Sequence, residues 1–243
     1  MANFAIDLAP LRKSKDFSLL WAAGLISYFG SMITYVAVPF QIKELTGSYV
    51  AVAISGLVEI LPLVIFGLYG GVLADALDRK KLIWVTELLS LLFTAILLIN
   101  SMMDSPNLLV IYIVSGLFAA TSGLRQPAMQ AALPRLVDHE DMTAAAALMS
   151  LRWQIGVIVG PAVGGILISS YSIAVGYAAD IATFIISIAL IAFMKNIPPS
   201  HEAEAPSLSA LIDGVKYAFS RKDLLGTYLI DLAAMFFAMP TAL

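Results

Sequence analysis

Cysteine is absent from the 243 residues of this chain, and histidine occurs only twice. Without cysteine the chain can form no disulfide and perform no thiol chemistry. His139 and His201 lie in polar stretches with no second ligand nearby, so we expect no metal and no other cofactor. The patterns HExxH, GxSxG and GxxxxGK are also missing, which argues against zinc protease, serine hydrolase and P-loop ATPase sites. The sequence therefore predicts a protein that is not an enzyme.

Charged residues are scarce as well, at 13% of the chain, whereas 60% of the residues are hydrophobic and the mean hydropathy is +0.90. A soluble domain carries about a quarter charged residues. The apolar residues form continuous runs, each long enough for a helix of roughly 20 residues to cross a bilayer. These runs cover 17–42, 49–75, 82–103, 107–130, 143–170, 172–194 and 224–243. Because they are continuous and not alternating, they predict membrane helices and not barrel strands.

Lysine and arginine are concentrated beside alternate ends of these runs, which orients the chain. They precede the first run and follow the second, fourth and sixth, and only Lys43 lies on the other side. Because cations stay in the cytoplasm, the N-terminus is expected there, in a multi-pass protein of the cell membrane. The first run is too long for a signal peptide and is expected to remain as an anchor. The net charge of −3 gives no reason to expect nucleic acid as a partner.

Ionisable side chains inside the runs are costly, about 2.5 to 3.5 kcal/mol each at a helix centre, and should face protein or water. They are Glu59, Glu87, Arg125, Arg152, Asp180 and Asp231. Glu87 and Arg125 lie nearer the inner surface, where they can pair or reach the interface. The other four lie near the midplane, where Arg152 cannot neutralise all three carboxylates, so at least one is expected to carry a proton in some conformation. Glu59, Asp180 and Asp231 are therefore candidates for proton coupling; the alternative is a buried bond that only holds helices together.

Small residues are concentrated in the fifth run, where Gly156, Gly160, Pro161, Gly164 and Gly165 form GxxxGPxxGG. This spacing places glycine on one helix face, where a neighbouring backbone can approach closely. Proline removes a backbone donor and is expected to bend the helix. A similar double glycine ends the second run, within 67–75, three helices before the one within 160–168. The recurrence favours two three-helix repeats of inverted topology, as in many transporters.

The turn after the second run resembles a known signature. Gly71, Asp75, Arg79 and Lys80 match the GxxxDxxxRK core found between the second and third helices of major facilitator superfamily transporters. The glycine pattern at 156–165 resembles the fifth-helix signature of the antiporter members. Stretches 36–41, 125–128 with 133–135, and 212–217 are similar to the branch that contains the enterobactin exporter and macrolide efflux proteins. The resemblance covers essentially the whole chain and implies an all-α bundle of the major facilitator type.

Two residues of the turn depart from this signature. Ala76 stands where a cation is usual, and Asp78 stands where glycine is usual. Aspartate tolerates a left-handed turn better than most residues, so the second departure is expected to be mild. By resemblance, Asp75 and Arg79 form a charge lock between helices that helps to hold an outward-facing state.

The chain also has about half the helices that the resemblance implies. We expect a six-helix bundle at 1–194, a cytoplasmic linker with an amphipathic helix at 195–222, and the first helix of an incomplete second bundle at 223–243. The missing C-terminal half is then a required partner. Pairing of two copies into a homodimer is the alternative, although an unpaired seventh helix fits a symmetric unit badly.

The resemblance implies a secondary transporter that exports a small organic molecule, in exchange for protons, by alternating access. A siderophore such as enterobactin and a hydrophobic drug both remain open as cargo. Arg125 and Arg152 would attract an anion, while Tyr28, Tyr35 and Trp153 could stack on aromatic cargo. A seven-helix receptor or pump of the retinal type would need a lysine in 224–243, which has none. A helical membrane scaffold that transports nothing is the other alternative.

Overall fold

The computed structural model describes residues 7–199 and, beyond them, residues 220, 221, 226, 227 and 230. Apart from those few positions, the predicted amphipathic helix and the predicted helix at 224–243 lie outside the described residues. Asp231 lies outside them too.

Within 7–199 the chain is helical throughout, as its composition predicts. The elements are α1 Ala9–Lys13, α2 Lys15–Thr46, α3 Tyr49–Ala76, α4 Arg79–Ser101, α5 Leu108–Leu136, a 3-10 turn His139–Asp141, α6 Met142–Ser170 and α7 Ile173–Ala192. The six helices α2 to α7 are each long and apolar enough to cross a membrane. They correspond to the first six predicted runs. Some extend further than the runs, because a helix continues past its lipid-immersed part until a cap ends it; α2 stops only at Gly47, whose φ is 67°.

Serine side chains begin several of the helices. Ser14 accepts a hydrogen bond from the Phe17 N–H, Ser48 from that of Ala51, and Ser172 from that of Val175. Each satisfies a backbone donor that the first helical turn leaves free. Because the caps end one helix and start the next within a few residues, the six spans alternate in direction.

The packing of the helices has an internal symmetry. α2 packs against α6 and α7, α5 packs against α3 and α4, and α4 packs against α7. If α2, α3 and α4 are exchanged for α5, α6 and α7 respectively, the α2–α6 pair becomes the α5–α3 pair and the α2–α7 pair becomes the α5–α4 pair. The α4–α7 pair stays the same. The exchanged units are three helices apart and therefore run in opposite directions. The bundle consequently consists of two inverted three-helix repeats, which confirms the interpretation of the repeated double glycine.

The glycines of the two repeats have matching surroundings. A Cβ on Gly164 of α6 would lie 3.1 Å from the Ile33 Cα of α2, and one on Gly70 of α3 would lie 2.9 Å from the Leu124 Cα of α5. The next glycine in each helix, Gly165 or Gly71, faces open space. One glycine of each pair thus permits close backbone contact within the bundle, while the other lies on an uncovered surface.

Two of the six helices are poorly covered by the other described residues. Leu57 of α3 and Ile158 of α6 are 68% and 70% exposed, and many neighbouring apolar side chains of both helices are exposed. α6 remains one continuous helix through Pro161. Since α3 and α6 occupy equivalent places in the two repeats, the uncovered surfaces follow the same symmetry.

Candidate functional site

Asp180 lies in the middle of α7 and is completely buried. Thr34 of α2 donates a hydrogen bond of 2.5 Å to its Oδ2, and Thr94 of α4 donates one of 3.4 Å to the same atom. Thr183 donates to Oδ1 at 3.3 Å. Within residues 7–199 no cation pairs with this carboxyl group. Asp180 therefore depends on hydroxyl groups alone, and neutralisation by a proton is the simplest way to lower the cost of its burial.

Glu87 is the second fully buried carboxyl group of the bundle. It lies on α4 and forms an ion pair of 2.5 Å with the Arg125 Nη1 of α5. Ser27 of α2 donates a 3.0 Å hydrogen bond to the same Glu87 Oε1. The sequence analysis left open whether Glu87 and Arg125 pair with each other or reach the membrane interface. In the structure they form the ion pair.

Arg152 lies beside this pair, on α6. Its Nε and Nη1 are buried and have no hydrogen-bond partner among the described residues. Gly24 of α2 makes room for the guanidinium, because a Cβ there would overlap Nη1. Arg152 interacts electrostatically with Arg125, Glu87 and Tyr28. Among the described residues only Arg125 pairs with the carboxylate, so the two guanidinium groups and the one carboxylate leave one positive charge uncompensated.

The deep charges are not gathered as the sequence analysis expected. Arg152 was expected at the depth of Glu59, Asp180 and Asp231, too few in charge to neutralise all three; the carboxylate beside it is Glu87, and Asp231 lies outside the described residues. Asp180 has hydroxyl partners instead, and half-buried Glu59 makes no hydrogen bond or ion pair within the described ranges. Hydropathy gives the depth of a residue in the bilayer but not the side of the helix on which it lies.

The aromatic candidates are divided between the cluster and the surface. Tyr28 is half-buried, packs over Gly156, and interacts electrostatically with both guanidinium groups. Tyr35 and Trp153 are 56% and 49% exposed. Of the three, Tyr28 is thus the one placed to contact a molecule held by Arg125 and Arg152.

The turn between α3 and α4 has partners that the signature does not suggest. Arg79 is buried; its Nη1 donates to the Pro198 carbonyl at 2.7 Å, and its backbone N–H donates to the Ile197 carbonyl. Lys80 Nζ donates to the Ala192 and Met194 carbonyls. Asp75 is exposed, and among the described residues it forms no ion pair with Arg79. The expected Asp75–Arg79 pair is therefore not formed in this structure.

Asp78 also differs from the expectation. Its backbone is extended, with φ −62° and ψ 117°, so the position needs no left-handed residue. Its side chain caps α4 through the Lys81 N–H and accepts a further hydrogen bond from the Ile197 N–H at 3.3 Å. Together, Asp78, Arg79 and Lys80 fix the segment that leaves α7 against the α3–α4 turn.

Several polar residues of the core escaped the sequence analysis because they carry no charge. Ser27, Ser31 and Thr34 lie on one face of α2, and Ser90 and Thr94 follow Glu87 on one face of α4. All five are buried. Their helical spacing within apolar runs is a signal that could have identified them, because hydroxyl groups recur there at intervals of three or four residues.

A surface ion pair at the end of the bundle gives a prediction about pH. Lys13 Nζ lies 2.8 Å from Asp141 Oδ2, and this hydrogen bond raises the pKa of the exposed Lys13 ammonium above its ordinary value. Stabilisation by a group with a raised pKa is present below the ordinary value and is lost as the pH rises through the raised one. We therefore expect α1 to stay tethered at neutral pH and to come loose in strong alkali.

The natural absence of cysteine allows this tether to be measured with two spin labels, at Leu8→Cys and Glu140→Cys. At neutral pH we expect a narrow distance distribution, which broadens in Asp141→Asn and in strong alkali. High salt should broaden it partly, since Lys13 is exposed while Asp141 is buried. An unchanged distribution in Asp141→Asn would show that other contacts hold α1.

Comparison with known proteins places this geometry in a family. A family model described as "Transmembrane secretion effector", a branch of the major facilitator superfamily, matches residues 5–243. The chain belongs to this family. The chain is 31% identical over 219 residues to the enterobactin exporter EntS of Shigella boydii serotype 18, and 30% identical to that of Escherichia coli O1:K1 / APEC. Each alignment covers 88% of this chain and 52% of the relative. The chain thus spans about half the length of these relatives.

A solved structure supports the fold independently. The chain superposes on the peptide transporter POT in complex with sulfate with a TM-score of 0.63, over 93% of this chain and 47% of that one. The sequence identity is 11%, so this likeness concerns the fold alone. It confirms the six-helix bundle of the major facilitator type, which forms about half of that protein too.

Proposed function

We propose that this chain is the N-terminal half of an exporter that moves a small organic anion out of the cell in exchange for protons, by alternating access. The observation that carries the proposal is the uncompensated charge of the Arg125, Arg152 and Glu87 cluster. The buried Nε and Nη1 of Arg152 have no acceptor among the described residues, which is costly unless an anion supplies one. The enterobactin exporters among its relatives make a catecholate siderophore the first cargo to test.

Proton coupling is assigned to Asp180. A carboxyl group that is buried among three hydroxyl groups and lacks a cation can gain and lose a proton at a moderate energetic cost. Glu59 and Asp231 remain further candidates. With the N-terminus in the cytoplasm, α7 runs inward, so Asp180 lies in the outer part of its helix.

Alternating access needs a second half. The exposed apolar surfaces of α3 and α6 are the surfaces against which a second bundle would pack. The glycine face of α6, which packs closely on α2, offers a smooth contact along which helices can move. Asp75 is exposed beside Gly71 and is free to contact that second half, in place of the pair with Arg79 that the resemblance implies.

The proposal predicts that loss of the Arg152 charge weakens cargo binding. A hydrogen bond to a buried charged group is worth about 1.5 to 3 kcal/mol, so Arg152→Gln should weaken enterobactin binding about 10- to 100-fold. Uptake of labelled enterobactin into inside-out proteoliposomes that contain the full-length protein measures this. Arg135→Gln is the matched control, because Arg135 is exposed at the end of α5 and should leave uptake unchanged.

A hydrophobic drug is the second candidate cargo, favoured by the exposed rings of Tyr35 and Trp153. A macrolide in the same assay separates the two. If the macrolide is taken up equally well by Arg152→Gln and enterobactin is not taken up, the cargo is a hydrophobic drug and not an organic anion. If neither compound moves, the assignment of the charged cluster to these cargoes is wrong.

A further inference from the structure

One pattern of polar residues, all buried except partly buried Thr183, occurs twice, in the equivalent helices α4 and α7. In α4 it is Glu87, Ser90 and Thr94, and in α7 it is Asp180, Thr183 and Ser187. In both helices a carboxyl group is followed by a hydroxyl group after three residues and by another after four more. The apolar residues between them differ, so the recurrence lies in the polar positions.

The partners of the two patterns are related by the same symmetry. Arg125 of α5 faces Glu87, as Thr34 of α2 faces Asp180. Thr121 of α5 forms a 3.0 Å hydrogen bond with Ser90. Its counterpart on α2 is Gly30, where a Cβ would overlap Thr183 Oγ1. Arg125 follows Thr34, and Thr121 follows Gly30, by the same number of residues. The equivalence of the two repeats therefore extends to individual side-chain positions.

One hydrogen bond breaks this symmetry. Thr94 donates to Asp180 Oδ2, and the equivalent bond would run from Ser187 to Glu87. α4 and α7 are antiparallel, and in each helix the carboxyl group and the last hydroxyl group are separated by about 10 Å of rise. Thr94 and Asp180 lie at the same height along the bundle axis because they are hydrogen-bonded. Ser187 and Glu87 therefore also lie at the same height as each other. Ser187 Oγ and Glu87 Oε2 are both buried, and neither has a hydrogen-bond partner in the part of the chain that the structure describes.

The space between the two carboxyl groups is lined with hydroxyl groups. Ser31 of α2, Ser90 of α4 and Thr121 of α5 are at most 5% exposed and lie at levels between Glu87 and Asp180. The two carboxyl groups also interact electrostatically. Because like charges in a low dielectric repel each other, a single proton held by either group relieves the repulsion.

We propose that Glu87 is a second proton-binding group, the counterpart of Asp180, and that a proton passes between them along the buried hydroxyl groups. The inference rests on the proposed proton coupling. One proton leaves the carboxylic acid of one residue and binds the carboxylate of the other, and no other bond changes. The charged groups around Glu87 are Arg125 on α5, Arg152 on α6 and Asp180 on α7; from α2 it receives the hydroxyl group of Ser27. Protonation of Glu87 releases Arg125 from its ion pair.

Infrared spectroscopy tests the binding step without any cargo. The full-length protein in lipid vesicles is acidified, and the carbonyl stretching bands of protonated carboxylic acids are recorded. We expect Glu87→Gln to remove one band and Asp180→Asn another. Ser187→Ala should shift only the band that Glu87→Gln removes, and Thr94→Val only the Asp180 band. Thr86→Val is the control, because Thr86 is buried next to Glu87 but donates only to carbonyls of its own helix.

The connection between the sites has its own readout in the same experiment. Asp180→Asn should shift the pH midpoint of the Glu87 band, and Glu87→Gln that of the Asp180 band. The inference would be overturned if Glu87→Gln left the spectrum unchanged. It would also be overturned if the pH midpoint of each band stayed the same when the other carboxyl group was replaced. Ser187→Ala and Thr94→Val retain the ion pair, so they give the answer even where Glu87→Gln does not fold.

Failure of the proposed function looks different. If both bands are present and coupled but cargo transport ignores the proton gradient, proton antiport is wrong and the pair of binding groups stands. If transport follows the gradient and depends on Asp180 but Glu87 gives no band, antiport stands and Glu87 is only the partner of Arg125.

Discussion

Asp180→Asn is expected to abolish transport driven by a proton gradient while leaving the bundle folded. Asparagine occupies nearly the same volume and can keep hydrogen bonds to Thr34, Thr94 and Thr183, but it cannot release a proton. Coupling free energies of about 3 kcal/mol correspond to about a 150-fold effect, so gradient-driven uptake should fall by about that factor. Exchange of labelled for unlabelled cargo needs no net proton movement and should continue. Both rates can be measured in one preparation of proteoliposomes.

Tyr177→Phe is the matched control for this variant. Tyr177 lies one turn before Asp180, is equally buried, and donates a 2.8 Å hydrogen bond to Gln41. Its loss should lower stability by about 1 kcal/mol and leave the coupling intact. If Asp180→Asn and Tyr177→Phe lost gradient-driven uptake equally, the loss would be due to missing buried hydrogen bonds of α7 and not to a missing proton site. Normal uptake in Asp180→Asn would move the proton site to Glu59 or Asp231.

Gly160→Val is expected to have the largest effect on stability. A Cβ at this position would overlap the Met32 Cβ and lie 3.0 Å from the Phe29 carbonyl oxygen. Neither atom is the end of a flexible side chain, so α2 and α6 must move apart. Overpacking of this kind costs typically 1 to 3 kcal/mol, and here the backbone contact places it at the upper end, about 3 kcal/mol. The thermal unfolding midpoint of the detergent-solubilised protein, followed by tryptophan fluorescence, should fall accordingly.

Gly165→Val tests whether the contact or the valine is responsible. It adds the same side chain to the same helix, where a Cβ meets no atom within 4 Å in the described part of the chain. We expect a much smaller change of the midpoint. Similar losses in both variants would attribute the effect to helix propensity and not to the close packing of α2 on α6.

The sequence predicts the spans and the close-packed helix face well, because both depend on composition along a single helix. Glycine at intervals of four residues places Gly156, Gly160 and Gly164 on one side whatever the neighbour is. The inverted repeat is also visible in the sequence, since Gly70 and Gly164 have the same local context in helices of opposite direction.

The partners of the charged residues could not be predicted in the same way. Counting from the span ends placed Arg152 and Asp180 at similar depths, but in the structure Arg152 lies at Gly24 of α2 and Asp180 at Thr34, further along the same helix. Arg79 and Lys80 bind backbone carbonyls, which every residue carries and which therefore leave no trace in a sequence. Thr34 and Thr94 were overlooked because an uncharged hydroxyl group in an apolar run costs little and attracts no notice.

The most direct test of proton exchange is to record cargo and protons in one vesicle population. The proteoliposomes contain the full-length protein and a trapped pH dye. The cargo added to them is enterobactin or the macrolide, depending on which of the two is transported in the uptake assay. Proton antiport predicts that cargo entering the vesicles drives protons out at a fixed ratio, and that Asp180→Asn loses this proton movement while cargo exchange continues. Cargo transport with no accompanying change of internal pH would contradict it.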